Sequence, residues 1–139
     1  MITRSVTVAK IRRDYWKMIH DGRKRYEIRD SQVERTSSAF VFVDAESQEH
    51  LGCARITSET RFGGYDASPW TWNMLSQLSA VPVDKLKELF SWMLGVKDME
   101  SEVDLYAYEV EPIDEATLTA YILHGPDAFT DKSAEGEGA

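Results

Sequence analysis

The densest group of chemically capable side chains in this 139-residue chain is Gly22-Arg23-Lys24-Arg25-Tyr26-Glu27-Ile28-Arg29-Asp30. A lysine beside a carboxylate can hold an anionic group or move a proton, and its withdrawal from water decides which. Arg29 offers a planar fork to a carboxylate, a phosphate or a base edge. Lys24, Glu27 and Arg29 are therefore candidate ligand contacts, and Lys24 and Glu27 are the candidate catalytic pair if the chain is an enzyme. The structural alternative is that Glu27 and Arg29 pair with each other across a sheet. A second group, Tyr65, Trp70 and Trp72, offers aromatic faces. Each could stack on a base, an interaction of about 1–3 kcal/mol, or plug one end of a barrel.

Elsewhere the chemistry is thin. His20, His50 and His124 lie far apart and form no metal-binding spacing, so no metal is expected. Gly63-Gly64 lacks the strand-to-helix context of a phosphate loop or dinucleotide fingerprint, and no cofactor is expected. The single Cys53 can form neither an intramolecular disulfide nor a cysteine cage. It reads as a small buried hydrophobe in a protein of the reducing cytoplasm. No apolar run approaches the roughly 20 residues of a membrane helix. Met1–Lys10 lacks the apolar core of a signal peptide. No membrane partner is expected.

The formal charge of -8 argues against nonspecific nucleic-acid binding, yet it is unevenly spread. Residues 1–35 hold ten Lys or Arg against five acids, and residues 36–139 hold six against nineteen. A basic segment on an acidic body points to a local anion site, or to a solvated Arg-rich helix face. Binding to duplex DNA should accordingly be weak and salt-sensitive.

These side chains must be positioned by a few short elements. Ser5–Ala9 alternates as a half-buried strand. Asp14 is placed to cap a helix over 15–21 whose stripe is Tyr15, Met18 and Ile19, with Gly22 ending it in the left-handed conformation. Arg25–Arg29 then alternates as a strand with Tyr26 and Ile28 toward the core and its charges outward. Lys24 and Glu27 can converge only if the chain bends near Arg25, and substitution of either is expected to cost little, as at exposed sites. Ala39–Val43 and Leu51–Ile56 read as strands around a polar turn. Thr60–Asn73 reads as a long loop with aromatic anchors. Val81–Gly95 reads as a helix with Leu86, Leu89, Phe90, Met93 and Leu94 at helical spacing. Asp104–Glu111 reads as a strand with Tyr106, Tyr108 and Val110 on one face. Asp114 caps a last helix with Leu118, Tyr121 and Ile122, stopped at Gly125-Pro126. The expectation is one α+β domain over residues 1–129, a curled barrel of five to six strands with two to three helices. A polar, acidic tail over 130–139 should be disordered and dispensable for stability.

The segment Tyr15-Trp16-Lys17-Met18-Ile19-His20-Asp21-Gly22-Arg23-Lys24-Arg25-Tyr26-Glu27-Ile28-Arg29 resembles the signature of ASCH domains, members of the PUA-like superfamily. That signature runs aromatic, Ile, Gly, then Lys, Glu and Arg through a helix, a turn and a strand. Val81–Gly95 is similar to the family's second helix and Leu105–Val110 to its closing strand, so the resemblance spans roughly residues 5–113. It implies a PUA-like barrel and a partner that is RNA or a nucleotide-like small molecule. Some members hydrolyse N4-acetylcytidine with a Lys, a Thr three residues on and a Glu before the second helix. Here Lys24 matches the Lys, but Glu27 replaces the Thr and Ser79 falls where the Glu would be. Thr36-Ser37-Ser38 likewise replaces a Gly-Asp turn common in the family. The resemblance thus implies recognition of RNA or a nucleotide-like ligand, with a small amidohydrolase or ribonuclease built on Lys24 and Glu27 as the alternative.

Overall fold

The computed structural model describes residues 4–65, 69–94 and 103–129. Four helices and one five-stranded sheet are present among them, in the order β1 (Ser5–Ile11), α1 (Arg13–His20), β2 (Tyr26–Arg29), β3 (Ser37–Asp44), β4 (His50–Tyr65), α2 (Pro69–Ser79), α3 (Val83–Leu94), β5 (Val103–Ile113) and α4 (Glu115–His124). The strand order is β1-β3-β4-β5-β2, with β1 parallel to β3 and the other neighbours antiparallel. The α+β class and the curled sheet agree with the sequence reading, with one helix more than expected. No helix among the described residues is long and apolar enough to cross a membrane.

The extra helix corrects the loop expected over Thr60–Asn73. β4 runs on through Gly63-Gly64 to Tyr65, and its register against β5 shifts between Phe62 and Tyr65. Glycines inside a strand commonly mark such an irregularity. Pro69 does not break structure either, because it is the first residue of α2, where a missing N–H costs nothing. The side chains of Tyr65, Met93 and Leu94, the helix stop at Gly95 and the tail over 130–139 lie outside the described residues.

Two further local expectations change. The N-cap of α1 is Arg12, which makes no capping hydrogen bond, and Asp14 sits two positions further on, in the first turn. An acid there still faces the positive end of the helix dipole. On α4, Asp114 caps as expected by accepting from the Thr117 N–H at 2.7 Å. Tyr121 is fully buried, but Ile122 remains half exposed.

Alternation along β5 divides the core. Leu105 and Ala107 join Ile28 in packing against Trp72, Leu75, Leu86 and Phe90 from α2 and α3. Tyr108 and Val110 face the other way and pack with Ile19, Phe40, Phe42 and Ala54. A third cluster docks Tyr121 of α4, together with Phe129 beyond the helix, onto Ala39. The Tyr121 hydroxyl accepts from the Ser38 N–H at 3.1 Å and lies 2.9 Å from the carbonyls of both Ser5 and Thr36. Arg4 reaches the same helix, donating to the carbonyls of Ile122 and Leu123. Cys53 is buried as expected, its thiol 3.3 Å from the Ile113 carbonyl, and burial raises its pKa.

Candidate functional site

The junction between α1 and β2 is built by the backbone. Gly22 adopts φ +83°, open to glycine and strained for other residues. The Gly22 N–H donates to the Ile19 carbonyl and the Arg23 N–H to the Met18 carbonyl, which makes this a Schellman motif. The Lys24 N–H donates to the Met18 carbonyl as well. Lys24 therefore leaves the helix cap before strand geometry begins at Tyr26. The strand parity that would separate it from Glu27 does not apply, and the two side chains converge, with Lys24 Nζ 3.7 Å from Glu27 Oε1.

The junction also buries the pair, which corrects the expectation of exposed charges. Lys24 is 2% and Glu27 8% exposed. The Lys24 ammonium donates to the Tyr26 carbonyl at 2.8 Å and to the Ser79 carbonyl at 3.1 Å. Ser79 is the last residue of α2, so the cation meets the negative end of that helix. Burial lowers the Lys24 pKa, and the Glu27 carboxylate opposes the shift. Glu27 shares its sheet face with its cross-strand partner Tyr108, and its other oxygen lies 3.8 Å from Arg29 Nη1. Glu27 and Arg29 thus pair along one strand, and both contacts to Glu27 are longer than a full hydrogen bond.

These residues open into a cavity of about 480 Å³. The sheet's two edge strands contribute to it from opposite sides. β1 and the residue after it supply Lys10 and Arg12, and β2 with its lead-in supplies Lys24, Glu27 and Arg29. Tyr15 of α1 and Leu86, Leu89 and Phe90 of α3 form its apolar wall, and Ser79 closes one end. The volume and the mixture of apolar wall with a few polar groups are those of a small-molecule site. Four cationic side chains meet one carboxylate here, on a protein whose overall charge is -8. Arg29 makes no hydrogen bond through its guanidinium among the described residues, and its side chain is 20% exposed.

Of the expected aromatic platform, neither Trp70 nor Trp72 is brought to this cavity. Trp72 is 2% exposed and sits in the core, its ring 6.4 Å from that of Phe90. Trp70, two positions earlier on α2, is 65% exposed and does not line the cavity. The half-buried Tyr15 takes that place, a residue the sequence marks only as part of an apolar stripe. Lys10 and Arg12 also line the cavity. Their only signal is alternation with the buried Ala9 and Ile11, and alternation cannot tell a cation facing a cavity from one facing water.

No family model matches the sequence, and no curated protein matches it. Solved structures do. The ASCH protein of Zymomonas mobilis superposes with a TM-score of 0.54 over 84% of this chain and 78% of its own, at 13% identity. Protein EF3133 of Enterococcus faecalis V583, from the DUF984 family, gives 0.55 over 81% of this chain and 82% of its own, at 12% identity. The hypothetical protein PH0355 gives 0.54 over 78% of this chain and 100% of its own, at 13% identity. Identities this low speak to the fold, and the fold of this chain is ASCH-like.

Proposed function

We propose that the cavity recognises a nucleotide-like ligand, free or as a residue of single-stranded RNA, and that the protein works in the cytoplasm. The observation that carries this reading is Arg29, a guanidinium fork on the wall of a 480 Å³ cavity with only a 3.8 Å contact to Glu27. Arg29 binds an oxygen of the ligand, Glu27 accepts from a base amino group, and Tyr15 covers the base face. Lys24 acts differently from Glu27. Two of its protons go to backbone carbonyls, so it fixes Glu27 in place and contributes positive potential. Trp72 is assigned to the core, and the exposed Trp70 is a secondary contact for a longer RNA.

A hydrolytic reading rests on the same pair, since burial lowers the Lys24 pKa and brings the amine closer to proton transfer near neutral pH. In that case Lys24 and Glu27 share the proton steps of an amidohydrolase or ribonuclease. Parallel titration and turnover assays with nucleosides, nucleotides and short single-stranded RNAs separate the two. Binding that is lost in Arg29→Ala and Glu27→Gln, without product, supports recognition. Turnover abolished by Lys24→Ala in a folded protein supports hydrolysis. Because few phosphates can be met in one cavity, the log–log salt slope for any nucleic acid should be shallower than about -5. A steeper slope, or no binding at all, defeats the recognition reading.

A further inference from the structure

Resting on the nucleotide reading, we infer that the ligand carries a terminal phosphate, a nucleoside monophosphate rather than an uncharged nucleoside, and that Lys10, Arg12 and Arg29 form its phosphate subsite. Of the four cations on the cavity wall, Lys24 is spent on Tyr26, Ser79 and Glu27. The other three keep most of their donors. Lys10 makes no ion pair or side-chain hydrogen bond among the described residues, and Arg29 has only its 3.8 Å contact to Glu27. Arg12 has Asp14 at 3.4 Å from Nε, with both side chains more than half exposed, and its guanidinium lies 5.3 Å from the centre of the Tyr15 ring. That placement leaves the outer edge of the Arg12 fork available.

These cations come from both edges of the open sheet, so a bound anion would bridge β1 and β2. A phosphate monoester carries close to two negative charges and several acceptor oxygens, which suits three cationic groups. An uncharged nucleoside leaves them without counter-charge. Outside the basic first 35 residues the chain holds nineteen acids against six bases, which disfavours a long polyanion. The charge distribution therefore selects an anion small enough to stay inside the cavity.

The experiment is calorimetric titration of the full chain with each of the four nucleosides and its matched 5′-monophosphate, at low and high salt. The Lys10→Ala/Arg12→Ala double variant is titrated alongside. At low salt at least one monophosphate should bind about tenfold or more tighter than its nucleoside. The advantage should shrink at high salt and disappear in the double variant, in which nucleoside and monophosphate should bind with equal affinity. Lys10 and Arg12 are exposed, so loss of folding does not obscure the result, and a circular dichroism spectrum checks it. Equal affinity for nucleoside and monophosphate overturns the phosphate subsite and leaves the nucleotide reading standing. Absence of binding by both overturns the two together.

Discussion

The Lys24 ammonium lies 3.1 Å from the Ser79 carbonyl, joining the lead-in to β2 to the end of α2 across 55 positions of sequence. A buried cation in this position holds two elements and one carboxylate at once. Removing it exposes the cost of each.

Lys24→Met should therefore destabilise the protein by about 3 kcal/mol, because it leaves the Glu27 charge and two carbonyls buried without their donor. Lys24→Met/Glu27→Gln should recover part of that loss, since the unpaired charge is gone. Urea denaturation of the single and double variants measures both. A loss below about 1 kcal/mol in Lys24→Met would restore the reading of an exposed pair.

Trp70 and Trp72 should part company. Trp72→Ala empties a buried site packed against Phe90 and should cost about 3–5 kcal/mol. Trp70→Ala should stay within about 0.5 kcal/mol of the parent. Equal effects in thermal melts would contradict their assignment to core and surface.

Gly52→Ala should strain the packing of α1 on β4. A Cβ at Gly52 would overlap the Trp16 indole, which is itself held against Phe42 with ring centres 5.6 Å apart. Overpacking of this kind costs about 1–3 kcal/mol. The near-ultraviolet circular dichroism of Trp16 should change in the same variant, and an unaltered spectrum with parental stability would count against the contact.

Asp44 gives a prediction for acid. Its carboxylate accepts from the Glu46 N–H at 2.8 Å and from Arg13 at 3.0 Å, and these bonds lower its pKa, the backbone donor most strongly. A carboxyl whose folded pKa is depressed stabilises the fold fully above its unfolded value of 3.8, and that stability is lost as pH falls through the lower folded value. Asp44→Asn should thus melt below the parent at pH 6, with the gap closing as pH falls below 3.8. A gap independent of pH would exclude the carboxylate as its source.

Periodicity made most of the frame legible. β1, α1, β2, β3, β5 and α4 follow from alternation or from apolar stripes of three and four residues, and Gly22 from its place after one of them. Thr60–Asn73 was misread because Gly63, Gly64 and Pro69 carry the same signal in a loop as in an irregular strand followed by a proline-started helix. The site was legible on its β2 side, where Lys24, Glu27 and Arg29 crowd together. Its other half was not. Lys10, Arg12, Tyr15 and Phe90 reach the cavity only because the sheet curls until its edges face each other, which is a property of long-range pairing.

The Tyr121 hydroxyl, fastened to Ser5, Thr36 and Ser38, sets the order in which this chain can be completed. β1 is an edge strand held by β3 and by the burial of Ala9 and Ile11, and its start, at Arg4 and Ser5, is also fastened to α4, more than a hundred positions away. During synthesis, the start of the first strand therefore completes its contacts only when one of the last helices arrives. Contacts so distant in sequence slow folding by the entropy of closing the loop between them. The cavity has β1 as one wall, so it should be among the last parts of the domain to take shape, and a ligand seated there would stabilise a fold already closed at its far end.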